Sequence, residues 1–282
     1  MSKPTDRPDI SVMTRADIAF AQSMTDAERW GYLRRDFEDL ITFEPEGCFV
    51  ARDGDRRVGV VTSTSYGTYA FVGTLIVDES RRNMGIGRSL LEHAIGFLRD
   101  KGVRTIELDG VFQATSLYRR LGFRDKYLSL RFFRPPARPD WVEGPPITAP
   151  SQDIVKFDLE KTGIERGRII RRYLQEFGES AFSLRDGGLR AYTFARPRGG
   201  GTMGIGPFVA DDDHAAERLM ARVVTKYSED GISLGVPDQK QTMVRLLPDL
   251  GFRYEVPSLR MYWGDRKDYE THIYGILSPE KG

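Results

Sequence analysis

The spacing of apolar and polar positions changes several times along the chain, and each change predicts a new element. Segments 48–52, 57–66 and 69–78 predict three successive strands, with "DGD" turning between the first two, so we expect an antiparallel meander. Before it, "ISVMT" predicts a short strand, and two helical stretches flank "WGYL". After it, apolar residues at helical spacing predict a helix: Leu90, Leu91, Ala94, Ile95 and Leu98.

The remainder of the first half predicts a strand in "VRTIELDG", a short helix in "QATSLYRRLGF" and a last strand in "DKYLSLRFF". The proline-rich segment "RPPARPDWVEGPPITAP" follows, and its composition is typical of a linker. We therefore predict a first domain at 1–134, a linker at 135–152 and a second domain at 153–282.

The second half partly repeats the first. "LGF" occurs at 121–123 and 250–252, and "SLR" at 129–131 and 258–260, both at the same offset. The repeat fails where "FVGTLIVDESRRNMGIGRSLL" faces "GIGPFVADDDHAAERLM", because the second copy lacks both turn glycines. There "ADDD" predicts an N-cap for the following helix, and the earlier "RPRGGGTMGIG" predicts a hairpin. We interpret the chain as a duplicated α+β unit.

Composition narrows the classes of function. The 282 residues contain 42 basic and 41 acidic side chains, so no overall field attracts nucleic acid or an anionic membrane. A single cysteine, Cys48, and three scattered histidines predict neither disulfides nor a metal site, and Cys48 is expected to pack in a strand. No apolar run is long enough for a signal core or a membrane span, so we expect a soluble cytoplasmic protein.

The turn "RRNMGIG" at 81–87 is the strongest candidate site. A helix N-terminus presents unpaired amides and partial positive charge, and glycine lets an anion approach them closely. The amides of 83–88, with Arg82 or Arg88 adding charge, would suit a pyrophosphate. A plain strand-to-helix connection remains an alternative. The turn matches neither a Rossmann fingerprint nor a P-loop.

The turn resembles the GNAT superfamily of acyl-CoA N-acyltransferases, whose signature is R/Q-x-x-G-x-G/A. Arg82-Asn83-Met84-Gly85-Ile86-Gly87 matches it in full, and "LYRRLGF" resembles that family's L-Y-x-x-x-G-F segment. The resemblance covers about residues 8–134, and the whole chain is similar to a two-domain subgroup. It implies tandem α+β units with mixed, mainly antiparallel sheets flanked by helices, the first complete and the second degenerate.

The resemblance implies an acetyl-CoA-dependent N-acetyltransferase that uses no metal. A primary amine of a small molecule would attack the thioester directly in a ternary complex. The pantetheine arm would lie where strand four parts from strand five, and the amide of Ile76 or Val77 would hold the carbonyl oxygen. The implied cofactor-binding residues are Leu75, Ile76, Val77, Arg82, Asn83, Met84, Gly85, Ile86, Gly87, Arg88 and Ser89.

The resemblance also gives Tyr118 the role of protonating the departing thiolate, with core packing as the alternative. The base is open: Asp109 is our first choice, a turn-forming role is as reasonable, and water would replace it. Trp30 and Tyr32 are expected to line the acceptor pocket or to join the two helices beside them.

Two other functions remain open. One is a non-catalytic acyl-CoA-binding regulatory module, and the other is acetylation of a protein or peptide amine. The second half is expected to wall the acceptor cleft, which would favour small molecules over peptides.

Overall fold

The computed structural model describes residues 8–139 and 151–282. The rest of the predicted linker, with residues 1–7, lies outside the described part. The helices are α1 Ile18–Ala27, α2 Arg34–Phe43, α3 Ile86–Asp100, α4 Thr115–Arg120, α5 Ser151–Thr162, α6 Gly167–Phe177, α7 Asp213–Lys226 and α8 Gln241–Asp249. The strands are β1 Asp9–Val12, β2 Phe49–Asp53, β3 Arg56–Tyr66, β4 Tyr69–Val77, β5 Thr105–Gly110, β6 Arg124–Arg134, β7 Ala181–Arg185, β8 Leu189–Arg198, β9 Thr202–Ala210, β10 Gly231–Pro237, β11 Arg253–Gly264 and β12 Ile273–Gly275.

The predicted α+β class is confirmed. β1 to β4 form an antiparallel meander, and β4 then pairs in parallel with β5 through the helix α3. In the second half, β7, β8 and β9 repeat the meander, and β9 pairs in parallel with β10 through α7. The "RPRGGGTMGIG" segment forms the β8–β9 hairpin, as predicted.

The two halves share one sheet, which the sequence did not predict. Among the described residues the strand order is β1-β2-β3-β4-β5-β11-β6-β10-β9-β8-β7, with β12 beside β9. The last long strand of the second half, β11, is therefore inserted between β5 and β6 of the first. In turn β6 pairs with β10 of the second half. Neither half completes its sheet without a strand from the other.

A buried charge cluster joins the halves at this exchange. Arg260 of β11 is fully buried and donates from Nε to Asp109 Oδ1 at 2.7 Å and from Nη1 to Glu107 Oε2 at 3.2 Å. Lys126 Nζ donates to Glu107 Oε1 at 2.6 Å, and it also pairs with Glu270. Buried charges require such pairing because they have lost their hydration. The second half thus neutralises carboxylates of the first.

The apolar faces of the helices pack onto the sheet. Leu90, Leu91, Ala94, Ile95 and Leu98 of α3 are all buried in one core cluster with residues of β2 to β5, as their spacing predicted. Cys48 is a free, fully buried cysteine in a neighbouring cluster. Burial raises the pKa of its thiol to about 12, so it stays protonated and packs as an apolar residue.

Candidate active site

A gap opens between the two parallel strands of the first half. β4 pairs with β5 only from Tyr69 to Phe71, opposite Thr105 to Glu107, and the two strands then separate. The remaining residues of β4 run on to Val77 with β3 alone as their partner. One side of β4 therefore offers unpaired backbone groups to anything that lies in the gap.

A β-bulge determines which backbone groups of β4 face this gap. Val60 lies opposite Ile76 and Thr62 opposite Gly73, so Val61 alone faces both Thr74 and Leu75. Thr74 has a φ of 51°, in the left-handed region. The bulge shifts the register of β4 against β3 by one residue, and this changes which backbone groups at the end of β4 face the gap.

Beyond the bulge, the amides of the two predicted oxyanion donors, Ile76 and Val77, point to opposite sides of β4. The amide of Asp78 donates to the carbonyl of Val58 at 2.9 Å. Hydrogen-bonded pairs alternate in an antiparallel ladder, so Ile76 also bonds to β3, at Val60, whereas Val77 faces the gap. The carbonyl of Val77 indeed accepts from Arg82 Nε at 3.1 Å. The geometry favours the amide of Val77 over that of Ile76 as the donor.

The glycine turn leaves the N-terminus of α3 uncapped. Asn83 and Gly85 have φ values of 64° and 83°, and in the described structure no side chain caps the helix that begins at Ile86. The amide of Ser89 donates to Gly85 at 3.0 Å, so the amides before it lack helical partners. A β-carbon at Gly87 would lie 3.5 Å from Val77 Cγ2, in the space between turn and strand. This arrangement fits an anion such as a diphosphate.

The arginines of the turn are already engaged. Arg82 pairs with Glu28 at the end of α1 as well as with Val77. Arg88 pairs with Glu92 at 2.8 Å, one helical turn along α3. Both side chains are exposed, so they are positioned to add positive charge near the turn while bracing it.

A cavity of about 1160 Å³ connects the gap, the turn and the second half. Of the predicted residues, thirteen line it: Trp30, Tyr32, Leu75, Ile76, Val77, Arg82, Asn83, Gly85, Ile86, Gly87, Arg88, Asp109 and Tyr118. Met84 and Ser89 lie outside this lining, and Met84 is 59% exposed. The predicted site residues are therefore brought together, except for these two.

Tyr118 lies in the cavity wall at the end of β5. Its side chain is buried on α4, and its ring packs so closely on Gly110 that a β-carbon there would lie 2.7 Å from Cε2. Within residues 8–139 and 151–282 its hydroxyl has no hydrogen-bond partner. Burial raises the pKa of Tyr118 well above its usual value. The hydroxyl thus stays protonated at neutral pH, and its role as the proton donor stays a prediction.

Asp109 also borders the cavity, but its carboxylate is held by arginines. Its side chain is 1% exposed and accepts from Arg260 at 2.7 Å and from Arg131 at 3.1 Å. Burial by itself would raise the pKa of Asp109, but the charges of Arg260 and Arg131 outweigh it and lower the pKa. A carboxylate of lowered pKa is a weak base. Its role as base stays a prediction, and these contacts weigh against it.

Trp30 and Tyr32 lie where a hairpin of the second half covers the first. The amide of Gly199 donates to the carbonyl of Gly31 at 2.9 Å. Tyr32 donates its hydroxyl to Glu280 Oε2 at 2.9 Å, and its ring centroid lies 6.2 Å from that of Trp30. Tyr32 therefore presents its ring to the cavity, while its hydroxyl is engaged. Trp30 and Tyr32 both line the cavity, and Tyr32 also packs in one core cluster with residues of α1 and α2. Contact of either residue with an acceptor stays a prediction.

Sequence reasoning missed the part of the cavity wall that comes from the second half. This wall includes Arg196 and Arg198 of β8 and Ser278 near the C-terminal end. In sequence, the arginines belong to "ARPRGGG", which predicted only a hairpin. The distance along the chain concealed them, because only the shared sheet brings β8 next to "WGYL".

The matching gap in the second half is filled by the chain itself. β12 pairs with β9 at Val209 and Phe208, and the amide of Ile276 donates to Gly235 of β10 at 2.9 Å. At the start of α7, Asp212 accepts from the amide of Ala215 at 2.8 Å, which confirms the predicted N-cap. The second half therefore has neither an open gap nor an uncapped helix at this place.

Two parallel strands that part beside an uncapped helix start form the arrangement expected of an acyltransferase of the GNAT fold. Sequence profiles identify the particular family: residues 18–123 match the Acetyltransferase (GNAT) family and residues 154–275 match an Acetyltransferase (GNAT) domain. The chain belongs to the GNAT family of acetyltransferases and carries two such domains in tandem. No curated protein matches it.

Solved structures support the tandem fold. A putative acetyltransferase from Pyrococcus horikoshii is 23% identical, with a TM-score of 0.82 over 99% of this chain and 97% of that one. A GCN5-related N-acetyltransferase from Sphaerobacter thermophilus is 15% identical, with a TM-score of 0.68 over 93% and 97%. A tandem GNAT protein of the clavulanic acid biosynthesis pathway is 16% identical, with a TM-score of 0.62 over 92% and 99%. These identities establish the fold alone.

Two negative observations concern the described residues. No group of three or more His, Cys, Asp or Glu side chains there has an arrangement that would hold a metal ion. None of the described helices has the length and apolar content needed to cross a membrane.

Proposed function

We propose that the protein is an acetyl-CoA-dependent N-acetyltransferase that acetylates a primary amine of a small molecule by direct attack. The observation that carries this proposal is the contrast between the two gaps. The gap beside β4 stays unpaired and leads to the uncapped start of α3, whereas the equivalent gap beside β9 is filled by β12. Only the first is shaped for an extended ligand that ends in a diphosphate.

Acetyl-CoA enters this proposal as a substrate. The amides at the start of α3 would bind its diphosphate, with Gly87 giving close access. The unpaired edge of β4 near Leu75 and Val77 would bind its pantetheine arm in the manner of an added strand. The acyl group would then reach the inner part of the cavity, near Tyr118.

The reaction follows from these positions. The amine nitrogen forms a bond to the thioester carbon, and the carbon–sulfur bond breaks. A backbone amide on the gap-facing edge of β4 stabilises the negative charge that develops on the carbonyl oxygen, since a fixed donor needs no reorganisation. The hydroxyl of Tyr118 gives its proton to the departing thiolate; its raised pKa keeps the proton in place until the sulfur leaves, but also makes the hydroxyl a weaker acid.

The amine proton needs a separate route. Asp109 is bound by Arg260 and Arg131, so taking up a proton would cost two ion pairs. We therefore assign proton removal to water in the cavity and give Asp109 the task of fixing the two arginines. From the sequence, Asp109 was our first choice as the base and water was an alternative. We now propose the alternative.

A thioester-cleavage assay tests the function. Purified protein is supplied with acetyl-CoA and a panel of primary amines, and free thiol and acetylated product are both measured. We expect amine-dependent thiol release with equal amounts of product. Binding of CoA without turnover on any amine would instead favour a regulatory module, and acetylation of peptides alone would favour a protein acetyltransferase. If calorimetry detects no binding of CoA, the proposal is wrong.

A further inference from the structure

We propose that the amine acceptor carries an anionic group, a carboxylate or a phosphate, and that Arg196 and Arg198 bind this group. The inference rests on the proposed function, because it concerns the acceptor of that same reaction. It gives the degenerate second half a direct role in choosing the substrate.

Arg196 lies in the wall of the cavity with part of its hydrogen-bonding capacity unused. The residue is 5% exposed, and Nη2 donates to the carbonyl of Leu277 at 3.1 Å. Its Nε has no hydrogen-bond partner in the part of the chain that the structure describes. The guanidinium lies 4.4 Å from the ring centroid of Tyr173. A buried donor without a partner is costly, which favours a ligand that supplies one.

Arg198 lines the same wall one step along β8. Its Nη2 donates to the carbonyl of Trp30 at 2.6 Å, and its guanidinium lies 5.2 Å from the ring centroid of Tyr32. Carbonyls and rings orient both arginines, and the carboxylate of Glu280 acts on both of their charges through space. Neither arginine forms a salt bridge with any described residue. The wall of the cavity therefore contains two positively charged side chains, each held by a backbone carbonyl and an aromatic ring.

The acidic groups nearby have contacts of their own, and Glu280 and Asp39 are each paired with another cation. Glu280 accepts from Tyr32 and from Lys281 Nζ at 2.6 Å, and Asp39 pairs with Arg172 at 3.2 Å. Asp36 accepts from the amide of Leu33. All three act on Arg196 through space, yet none of them lines the cavity. The two arginines remain the charges that a ligand at this end of the cavity meets.

One segment of the second half connects Arg196 to β4. The carbonyl bound by Arg196 belongs to Leu277, and the same segment continues to Glu280 against β4. A β-carbon at Gly73 would lie 2.6 Å from the α-carbon of Glu280. Gly73 precedes the bulge of β4, so a single chain segment separates Arg196 from this strand.

This chemistry selects among amines. Planar guanidinium groups bind carboxylate and phosphate oxygens through paired hydrogen bonds, whereas they repel a second ammonium group. The hydroxyl of Ser278, which is buried in the lining and has no partner among the described residues, adds a further donor or acceptor. Amino acids and phosphorylated amines fit this end of the cavity, and polyamines do not.

Matched pairs of acceptors test the inference on the unaltered protein. L-phenylalanine is compared with 2-phenylethylamine, L-lysine with cadaverine, and O-phosphoethanolamine with ethanolamine, each with acetyl-CoA. We expect kcat/KM to be at least about 10-fold higher for the anionic member of a pair, because a charge-assisted contact is lost in the other. The two amino acid pairs test for binding of a carboxylate, and the phosphoethanolamine pair tests for binding of a phosphate.

Variants then locate the effect. In Arg196→Met and Arg198→Met we expect KM for the preferred anionic acceptor to rise about 10- to 100-fold, with kcat and the uncharged acceptors little changed. Arg35→Gln is the matched control. Arg35 donates to Pro197, between the two arginines, but lies outside the cavity lining. Its variant should keep the preference.

The outcomes separate this inference from the function on which it rests. Acetylation of both members of every pair at similar rates, or a preference for spermidine and other cationic amines, overturns the inference alone. Equal losses for charged and uncharged acceptors in the arginine variants also overturn it, because they indicate a structural role. Failure to acetylate any amine overturns the proposed function and the inference together. If a variant does not fold, the preferences of the unaltered protein still decide.

Discussion

The two halves of this protein build the same junction and use it in opposite ways. In the first half, β4 and β5 separate and leave a gap that opens into the cavity. In the second half, β9 and β10 pair from Thr202 to Ile205, and β12 then occupies the space between them. The backbone groups that a ligand would bind in one copy are bound by the chain itself in the other.

The N-termini of the two equivalent helices, α3 and α7, also differ in whether the chain itself fills them. α3 begins after Gly85 with no side-chain cap among the described residues, whereas Asp212 caps α7. Arg190 pairs with Asp211 and Asp212, which fixes these carboxylates beside the helix. The free amides of a helix N-terminus need a hydrogen-bond acceptor, and in the second copy the side chain of Asp212 provides one. The second copy thus fills with internal contacts the positions that the first copy leaves open.

The largest expected effect comes from filling the open turn. In Gly87→Phe the new side chain begins 3.5 Å from Val77 and 3.7 Å from Leu117, at the mouth of the gap. The free protein should tolerate its first carbon, but CoA should no longer bind measurably in calorimetry. Gly96→Phe on the same helix is the control, since no described atom lies within 4 Å of its β-carbon position. Undiminished binding in Gly87→Phe would contradict the assigned site.

Removing Arg260, which β11 of the second half inserts into the first half, should lower the free energy of unfolding strongly. Arg260→Met leaves Asp109 without its closest partner and removes one partner of Glu107. We expect the free energy of unfolding in urea to fall by about 3–5 kcal/mol, the usual cost of an unpaired buried charge. Arg266→Met, which breaks an exposed pair with Asp268, should change it little.

The pH dependence of stability adds a second measurement on Arg260. In the native protein the pKa of Asp109 is lowered, so its contribution is full above its unfolded pKa of about 4 and is lost as the pH falls below that. In Arg260→Met this loss on acidification should shrink, because the carboxylate is no longer stabilised in its charged form. An unchanged acid profile would mean that Asp109 does not depend on Arg260.

Tyr118→Phe should separate chemistry from binding. We expect kcat to fall about 100-fold while CoA affinity is unchanged, because only the proton donor is lost. Since the pKa of Tyr118 is raised, native kcat should show no loss from its ionisation up to about pH 10. Tyr254→Phe, at an exposed tyrosine outside the cavity lining, is the control. Unchanged kcat in Tyr118→Phe would make Tyr118 a packing residue only.

The smallest effect concerns the capped helix of the second half. Asp212→Ala removes the acceptor for the amide of Ala215, so we expect a loss of about 1 kcal/mol in the free energy of unfolding. CoA affinity should be unaffected, because this helix start is not part of the open site. A change in CoA affinity in this variant would mean that the second junction also contributes to binding.

The sequence by itself determined the elements and the first site. Local periodicity specified the meander and α3, and the glycine spacing in "RRNMGIG" specified an open helix start, since a left-handed φ such as that of Gly85 favours glycine. "ADDD" predicted the cap of α7 for the same reason. These features are encoded within a few residues, which is why they are readable.

Only the tertiary structure decided how the halves combine. Which strand lies beside β5 depends on long-range pairing, so the insertion of β11 and the arginine it brings to Asp109 were not readable from local pattern. The same holds for Arg196, whose neighbours in the wall come from distant segments. The contacts of Asp109 lower its pKa, and that weighs against the carboxylate favoured from sequence as the base. Charge and burial are collective properties, and a folded chain is needed to fix them.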